Sequence, residues 1–241
     1  MIEDQTWRAF AITNSLALLG CYFSDRPHDS GFIEAYANAA RGSGEALLSA
    51  LKWFAEHTAR PELAEAPLML WGMSAGGEFN YEFTAWKPER VITFVVNKGG
   101  IYYTALVPEL ARQVPGLLFF GGRDLEFRRK TIEGIFAVNR RAGALWALAE
   151  ESSAAHVVGR SRDIAIAYFE EILSLRVSRS SSRAPELRML KESSGFLGNL
   201  HSKDLDMAGL AAPADPLTSW LPTQRIARMW KALVTDTPFE R

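Results

Sequence analysis

Short apolar runs alternate with amphipathic segments along the first two thirds of the chain. Five runs have the length and composition of buried parallel strands, at residues 16–23, 67–71, 91–96, 117–120 and 144–149. Segments with helical spacing lie between or after them, at about 76–86, 128–141 and 160–175. The alternation predicts an α/β fold, with a mainly parallel sheet of about five strands and helices on both faces.

One more helix is predicted between the first two strands, and it ends at about His57. Its apolar face would consist of Ala46, Leu47, Ala50, Leu51 and Phe54. A helix over about residues 3–13 would precede the first strand. Both are expected to pack on the sheet.

The strand and helix alternation stops after Leu175. Residues 176–183 carry four serines among three arginines, which is typical of a surface loop. A closing helix is predicted with Pro222 in its first turn. Several residues here are too apolar for a free tail: Trp220, Leu221, Ile226, Met229 and Trp230. We therefore expect one domain over residues 1–241, with a core at 1–175 and an extension at 176–241 that packs on the core.

The composition and net charge of the chain argue against several classes of binding partner. The 241 residues carry a formal net charge of -1, so no global field attracts nucleic acid or an anionic membrane. No apolar run approaches the roughly 20 residues that span a bilayer. Cys21 is the only cysteine, which fits a cytoplasmic protein. A small, roughly neutral substrate is the simplest expectation.

A targeting signal is the alternative for the first apolar run. Leu18-Leu19-Gly20-Cys21 resembles the cleavage box of a bacterial lipoprotein. The start of the chain is acidic, however, and Thr13-Asn14-Ser15 interrupts the hydrophobic stretch that such a signal requires. We expect a short helix that leads into a buried strand.

The strongest chemical motif follows the second apolar run: Gly72-Met73-Ser74-Ala75-Gly76. A serine on a sharp turn between a strand and a helix exposes its hydroxyl, and flanking glycines let the neighbouring chain approach. The amide of Ala75 would then point at a developing oxyanion. Outside this context the pattern marks only a tight turn. Between a strand and a helix it predicts a nucleophile at Ser74.

A serine nucleophile needs a base and an orienting acid. Asp124 follows the fourth predicted strand and His156 follows the fifth, in the chain order Ser, Asp, His. Each could alone be a solvated loop residue. Competing acids are Glu126, Glu150 and Glu151. The combination of three residue types at three strand ends favours a triad.

Other polar residues near the predicted sheet edge are candidates for contacting a substrate. Met73 precedes the nucleophile, Asn97 follows the third strand and His28 lies on the loop after the first. Lys98 and Gly99 also follow the third strand. Like Asn97, each could either contact a substrate or belong to an ordinary surface loop. His57 ends a helix and is expected to be solvated, His201 belongs to the C-terminal extension, and surface exposure is the alternative for His28.

Residues 16–175 resemble an α/β-hydrolase, nearest to the bacterial esterases grouped with dienelactone hydrolases, feruloyl esterases and polyhydroxybutyrate depolymerases. The resemblance rests on the Ser74 motif, Gly122-Arg123-Asp124 and His156. It implies cleavage of a small or medium carboxylic ester through an acyl-Ser74 intermediate, with no metal or organic cofactor. It also implies that His156 is the general base and that Asp124 orients it.

The chain departs from the family pattern at its beginning. The strand and loop that supply a second oxyanion amide should precede the helix at 3–13, where Met1 stands. A natural start upstream of Met1 is one explanation. Otherwise the fold is an N-terminally shortened hydrolase, and the missing strand leaves an open sheet edge that invites pairing, so a homodimer is expected. Two alternatives to the esterase stay open: a binding or scaffold protein that retains the fold, and an acyltransferase or peptidase with the same triad.

Overall fold

A computed structural model describes residues 2–25, 34–178, 186–209 and 215–239. Its main sheet contains four parallel strands in chain order, β1 Leu68–Met73, β2 Val91–Asn97, β3 Gly116–Gly121 and β4 Trp146–Glu151. A second, antiparallel sheet has the order β6-β5-β7, with β5 Phe196–Asn199, β6 Leu205–Met207 and β7 Thr218–Leu221. The α/β class is confirmed, and the main sheet has four strands where about five were predicted.

The α-helices of the described residues fall largely where the sequence predicts them. Their bounds are α1 Gln5–Thr13, α2 Ser43–His57, α3 Ala75–Trp86, α4 Glu109–Arg112, α5 Glu126–Arg141, α6 Ser161–Arg176 and α7 Gln224–Val234. Short 3-10 turns occupy Ala35–Ala37, Ala39–Arg41, Pro61–Glu65, Pro88–Arg90 and Glu192–Ser194. Within the described residues, no helix has both the length and the apolar character needed to cross a membrane.

Helices cover both faces of the main sheet, as neighbouring residues of β2 illustrate. Phe94 meets Trp146 at 5.4 Å between ring centroids, and Trp146 in turn meets Tyr81 of α3 at 5.7 Å. Thr93 points to the opposite face, where its side chain lies close to Tyr168 of α6. Because side chains alternate along a strand, these contacts place α3 and α6 on opposite sides. Every residue of β2 and β3 is buried.

The first predicted strand is absent. Residues 16–25 have no regular secondary structure, and no backbone hydrogen bond joins them to β1. Leu16, Leu18, Leu19 and Phe23 nevertheless pack against the core. The apolar run therefore indicated only partial contact with the core, because Ala17, Cys21 and Tyr22 are exposed. It was a wrong indicator of strand pairing, since pairing depends on a neighbouring strand that this segment lacks.

Two details of the predicted helices are also wrong. In α2 the buried face consists of Leu47, Leu48, Leu51 and Ala55, while Ala46 is exposed. In α7 the cap is Thr223, whose hydroxyl accepts a hydrogen bond from the Ile226 amide at 3.3 Å. Pro222 therefore precedes the helix. A capping side chain satisfies a free amide and so fixes where a helix begins.

The C-terminal extension lies against β4. Ser219 Oγ donates to the Leu148 carbonyl at 3.1 Å and accepts from the Leu148 amide at 2.8 Å. Trp230 Nε1 donates to the same carbonyl at 2.7 Å. Trp220 and Trp230 are fully buried. These contacts occupy backbone groups at the outer edge of β4.

Candidate active site

Ser74 stands on a strained turn between β1 and α3. Its backbone has φ 54° and ψ -128°, a combination that costs a non-glycine residue about 1–3 kcal/mol. The turn is held by three backbone hydrogen bonds. The Ser74 amide donates to the Asn97 carbonyl at 2.9 Å, and its carbonyl accepts from Gly77 and Glu78 at 2.8 and 3.0 Å. The surrounding chain therefore imposes the conformation that a nucleophile turn requires.

The glycines around Ser74 have different roles. A Cβ on Gly72 would lie 2.3 Å from the carbonyl carbon and oxygen of Gly76. At Gly77 it would lie 3.0 Å from the Gly72 oxygen and 3.2 Å from the Asn97 amide nitrogen, whereas at Gly76 it would meet nothing within 4 Å. Close approach thus requires Gly72 and favours Gly77. The second glycine of the motif, Gly76, is not needed for it.

Two backbone amides beside Ser74 have no acceptor among the described residues. Over the described residues, neither the Ala75 amide nor the Gly76 amide donates a hydrogen bond. Both belong to the first turn of α3, where the helix dipole adds partial positive charge. Ala75 is the predicted oxyanion donor, and its position at the start of the helix suits that role.

Asp124 and His156 form a hydrogen-bonded pair after β3 and β4, with the acid buried and the imidazole partly exposed. His156 Nδ1 lies 2.8 Å from Asp124 Oδ2. The Asp124 side chain is 2% exposed and that of His156 is 30% exposed. An ionised Asp124 can only accept, so His156 Nδ1 is the donor and its Nε2 is left as the basic nitrogen. The sequence-predicted pairing of acid and base is therefore present in the structure.

Further donors surround the Asp124 carboxylate. The Leu125 amide donates to Oδ1 at 2.7 Å, and Arg128 lies 3.4 Å from the same oxygen. Burial by itself would raise the pKa of Asp124. The hydrogen bonds from His156 and Leu125 and the charges of His156 and Arg128 outweigh burial and hold that pKa below its usual range. Asp124 is consequently ionised wherever His156 can act as a base.

The competing acids and histidines lie in other surroundings. Glu126 is exposed, and Glu151 is bound to Lys98. His57 stacks on Trp53 at 3.9 Å between ring centroids at the end of α2. His201 pairs with Asp215 at 3.0 Å in the extension. Of the described histidines, only His156 lies at the carboxyl edge of the main sheet.

Asn97 connects the nucleophile turn to the loop that carries His156. Its carbonyl accepts from the Ser74 amide, and its side-chain Nδ2 donates to the Val158 carbonyl at 3.2 Å. The backbone of Ser74 and that of Val158, two residues after His156, are therefore bonded to the same residue. No hydrogen bond joins Ser74 Oγ to the His156 ring among the described residues, and catalytic hydrogen bonds are often long before substrate binds.

The three residues predicted to contact a substrate, Met73, Asn97 and His28, lie in different surroundings. Met73 ends β1 and is half-buried. Asn97 is fully buried and both polar atoms of its side chain are bonded inside the protein, so a role in touching substrate is not supported. Its amide serves the loop. His28 lies outside the described residues.

Two features of the site are missing from the sequence-based prediction. Exposed apolar side chains flank the acid and base, namely Leu125, Phe127, Val157 and Val158. Lys98 and Glu151 form a buried ion pair beneath the site. The sequence did contain a signal for this pair, because Lys98 directly follows an apolar strand and Glu151 lies at the end of another. A charge in such a buried position needs a partner of opposite charge.

Neither metal ligation nor likeness to known proteins adds to this geometry. In the described part of the chain, no three His, Cys, Asp or Glu side chains are grouped to hold a metal ion. The chain matches no protein-family model, no curated protein and no solved structure.

Proposed function

We propose that this protein is a serine hydrolase of the α/β-hydrolase kind that cleaves small or medium carboxylic esters. One observation carries the proposal: the strained Ser74 turn and the hydrogen-bonded Asp124–His156 pair occupy the same carboxyl edge of one parallel sheet. Structural ion pairs are common, and strained serines occur elsewhere. Their coincidence at one sheet edge is what nucleophilic catalysis requires.

In the proposed reaction, Ser74 Oγ attacks the ester carbonyl carbon while His156 Nε2 takes the hydroxyl proton. The Ala75 amide stabilises the oxyanion of the tetrahedral intermediate. The carbon–oxygen bond to the alcohol then breaks, and the alcohol leaves with the proton from His156. Water repeats the sequence against acyl-Ser74, giving the carboxylic acid and free Ser74. Asp124 stays ionised and stabilises the imidazolium in both halves.

The apolar residues around the acid and base support an uncharged, apolar acyl group. Leu125, Phe127 and Val157 are 57%, 50% and 53% exposed. Exposed apolar side chains next to a reactive pair favour hydrocarbon over charge. Short-chain and medium-chain acyl esters are therefore the first substrates to test.

The experiment is labelling with a fluorophosphonate followed by intact-mass and peptide mapping. Wild type should gain one adduct on Ser74, and Ser74→Ala should gain none. Ser202→Ala is the matched control, because Ser202 is an exposed serine beside the His201–Asp215 pair. Adducts that persist in Ser74→Ala would contradict the proposal.

A binding protein that retains the fold is the second candidate. It is favoured by the lack of a hydrogen bond between Ser74 Oγ and His156 within the described residues. Turnover of a p-nitrophenyl ester that His156→Ala abolishes would exclude it. Tight binding of the ester without turnover would support it and contradict the hydrolase.

We also infer a homodimer that pairs the outer edge of β1 with a second copy. Of the described strands, β1 is bonded only to β2, and five of its six residues are half-buried. An unpaired strand edge presents free amides and carbonyls to another chain. Sedimentation velocity should find a dimer at micromolar concentration, and a monomer there would contradict the inference.

A further inference from the structure

Lys98 and Glu151 form an ion pair sealed inside the protein. Their side chains are 0% and 4% exposed. Lys98 Nζ bonds Glu151 Oε2 and also donates to Asn97 Oδ1 at 3.1 Å. Removing charges from water costs several kcal/mol per ion unless each is paired and hydrogen-bonded. Such a pair demands an explanation, and the reaction proposed above does not use it.

The pair connects two strand ends to the loop that carries His156. Lys98 follows β2, whereas Glu151 ends β4. Glu151 Oε1 accepts the Arg160 amide at 2.5 Å, which closes residues 152–160 into a loop on one carboxylate. Asn97 Nδ2 holds the same loop at the Val158 carbonyl, at 3.2 Å. We call residues 152–160 the base loop.

The base loop is seated closely on the strand ends. Gly159 has φ +62°, and a Cβ there would lie 2.4 Å from Glu151 Oε1. A Cβ on Gly121 would lie 2.5 Å from the Ala154 carbonyl. The Arg123 amide donates to that carbonyl at 3.0 Å. Fixed contacts on both sides of His156 thus set where its ring can stand.

We propose that Asn97, Lys98 and Glu151 form a loop anchor that positions His156 for proton transfer. Glu151 accepts from two donors, one on each carboxylate oxygen, an arrangement suited to a carboxylate that acts only as an acceptor. Lys98 supplies the countercharge and holds the Asn97 amide in the orientation that donates to Val158. Lys98 is fully buried, so it is a positioning residue. The catalytic consequence rests on the proposed hydrolase function, whereas the positioning of the loop does not.

The test compares three variants of the whole protein. Lys98→Met removes the countercharge and leaves Glu151 unpaired. The double variant Lys98→Met/Glu151→Gln removes both charges, and its Gln oxygen can still accept the Arg160 amide. Lys130→Met is the matched control, because Lys130 pairs with Glu133 at 3.3 Å on the surface. Amide hydrogen exchange over the base loop and steady-state ester hydrolysis are measured for each.

Lys98→Met should accelerate exchange over the base loop and lower kcat by about 10–100-fold with little change in KM, because a small misplacement of a catalytic group slows chemistry without weakening binding. The double variant should recover much of both losses. Lys130→Met should match wild type.

Two results would overturn the loop anchor. One is wild-type exchange over the base loop in Lys98→Met. The other is faster exchange along the whole chain with equal losses in the single and double variants, which indicates a general stability role. If Lys98→Met does not fold, the double variant still tests the loop anchor. The anchor predicts slow amide exchange over the base loop in the double variant, and fast exchange there would overturn it. If the wild-type protein neither hydrolyses esters nor reacts with the fluorophosphonate, the proposed function is refuted. The exchange measurements over the base loop still test the loop anchor in that case.

Discussion

The two edge strands of the main sheet, β1 and β4, differ in how their outer backbone groups are covered. At β4 the extension covers the edge, since Ser219 and Trp230 bond the Leu148 backbone and the base loop is tied to β3. At β1 no backbone group of residues 16–25 bonds the outer edge, and only apolar side chains pack nearby. The nucleophile turn leaves from the open edge strand, while the acid and base stand on the covered side.

This difference indicates how each half of the site is stabilised. The Ser74 turn depends mainly on local backbone geometry, namely the close approach at Gly72 and two short-range hydrogen bonds to the Ser74 carbonyl, with one further bond from its amide to Asn97 on the next strand. The Asp124–His156 pair depends on contacts between residues far apart in the chain, such as Lys98 with Glu151. Substitutions at the Ser74 turn should therefore act by straining the local backbone. Substitutions around the Asp124–His156 pair should act by displacing the imidazole.

On the covered side, Asp124→Asn should give the largest effect. An amide cannot balance the imidazolium and favours the wrong tautomer of His156, so kcat should fall by about 10³–10⁴-fold while the fold persists. The matched control is Glu126→Gln, which alters an exposed acid two residues away. Steady-state kinetics on a p-nitrophenyl ester measure both. Equal losses in the two variants would show that Asp124 is not the orienting acid.

At the open edge, Gly72→Ala tests the nucleophile turn. The added methyl would lie 2.3 Å from the Gly76 carbonyl, and overpacking of this kind typically costs 1–3 kcal/mol or more, so we expect a loss of about 3 kcal/mol. Gly76→Ala is the control, because a Cβ there meets nothing and alanine favours a helix by about 0.5–1 kcal/mol. Denaturant unfolding of both variants is the measurement. A tolerated Gly72→Ala would contradict the close approach.

Ser219→Ala tests how the other edge is covered. The substitution leaves the buried Leu148 amide without its acceptor, which should lower the free energy of unfolding by about 1–3 kcal/mol. Ser194→Ala removes an exposed hydrogen bond to Lys191 and should change stability by no more than about 0.5 kcal/mol. If both variants unfold alike in urea, the bonds from Ser219 do not secure β4.

The smallest effect concerns Glu78, which joins α3 to the segment after β2. Its Oε1 accepts the Gly100 and Ile101 amides at 2.6 and 3.0 Å. Burial raises the pKa of Glu78 above its usual value, and these two bonds only partly offset it. The folded state therefore binds the proton more tightly than the unfolded state, so stability falls as pH rises from the ordinary pKa through the raised one.

Glu78→Gln should remove that decline and keep both hydrogen bonds through the amide oxygen. Thermal unfolding from acidic to neutral pH should show a flatter profile for Glu78→Gln than for wild type. The exposed Glu56→Gln should leave the profile unchanged. A steeper profile in Glu78→Gln would mean that ionised Glu78 stabilises the fold.

Sequence reasoning located most of the main sheet and the acid–base pair. The strands predicted over 67–71, 91–96, 117–120 and 144–149 each overlap one strand of the main sheet, whereas the three strands of the second sheet were not predicted. Asp124 and His156 were paired from their places after two strands, because parallel strands bring their carboxyl ends to one edge. It failed at residues 16–23, since an apolar run reports burial and not the presence of a hydrogen-bonded neighbour.

The sequence by itself determined the order of the four main-sheet strands, the sharp turn at Ser74 and the chain order of the three candidate catalytic residues. These follow from local properties: hydrophobic period, glycine at a tight turn and the position of polar residues after strands. Only the tertiary structure decided that Lys98 meets Glu151, that Asn97 holds the base loop, and that the extension covers the outer edge of β4. Those contacts join residues dozens of positions apart, and their energies exist only once distant segments pack together.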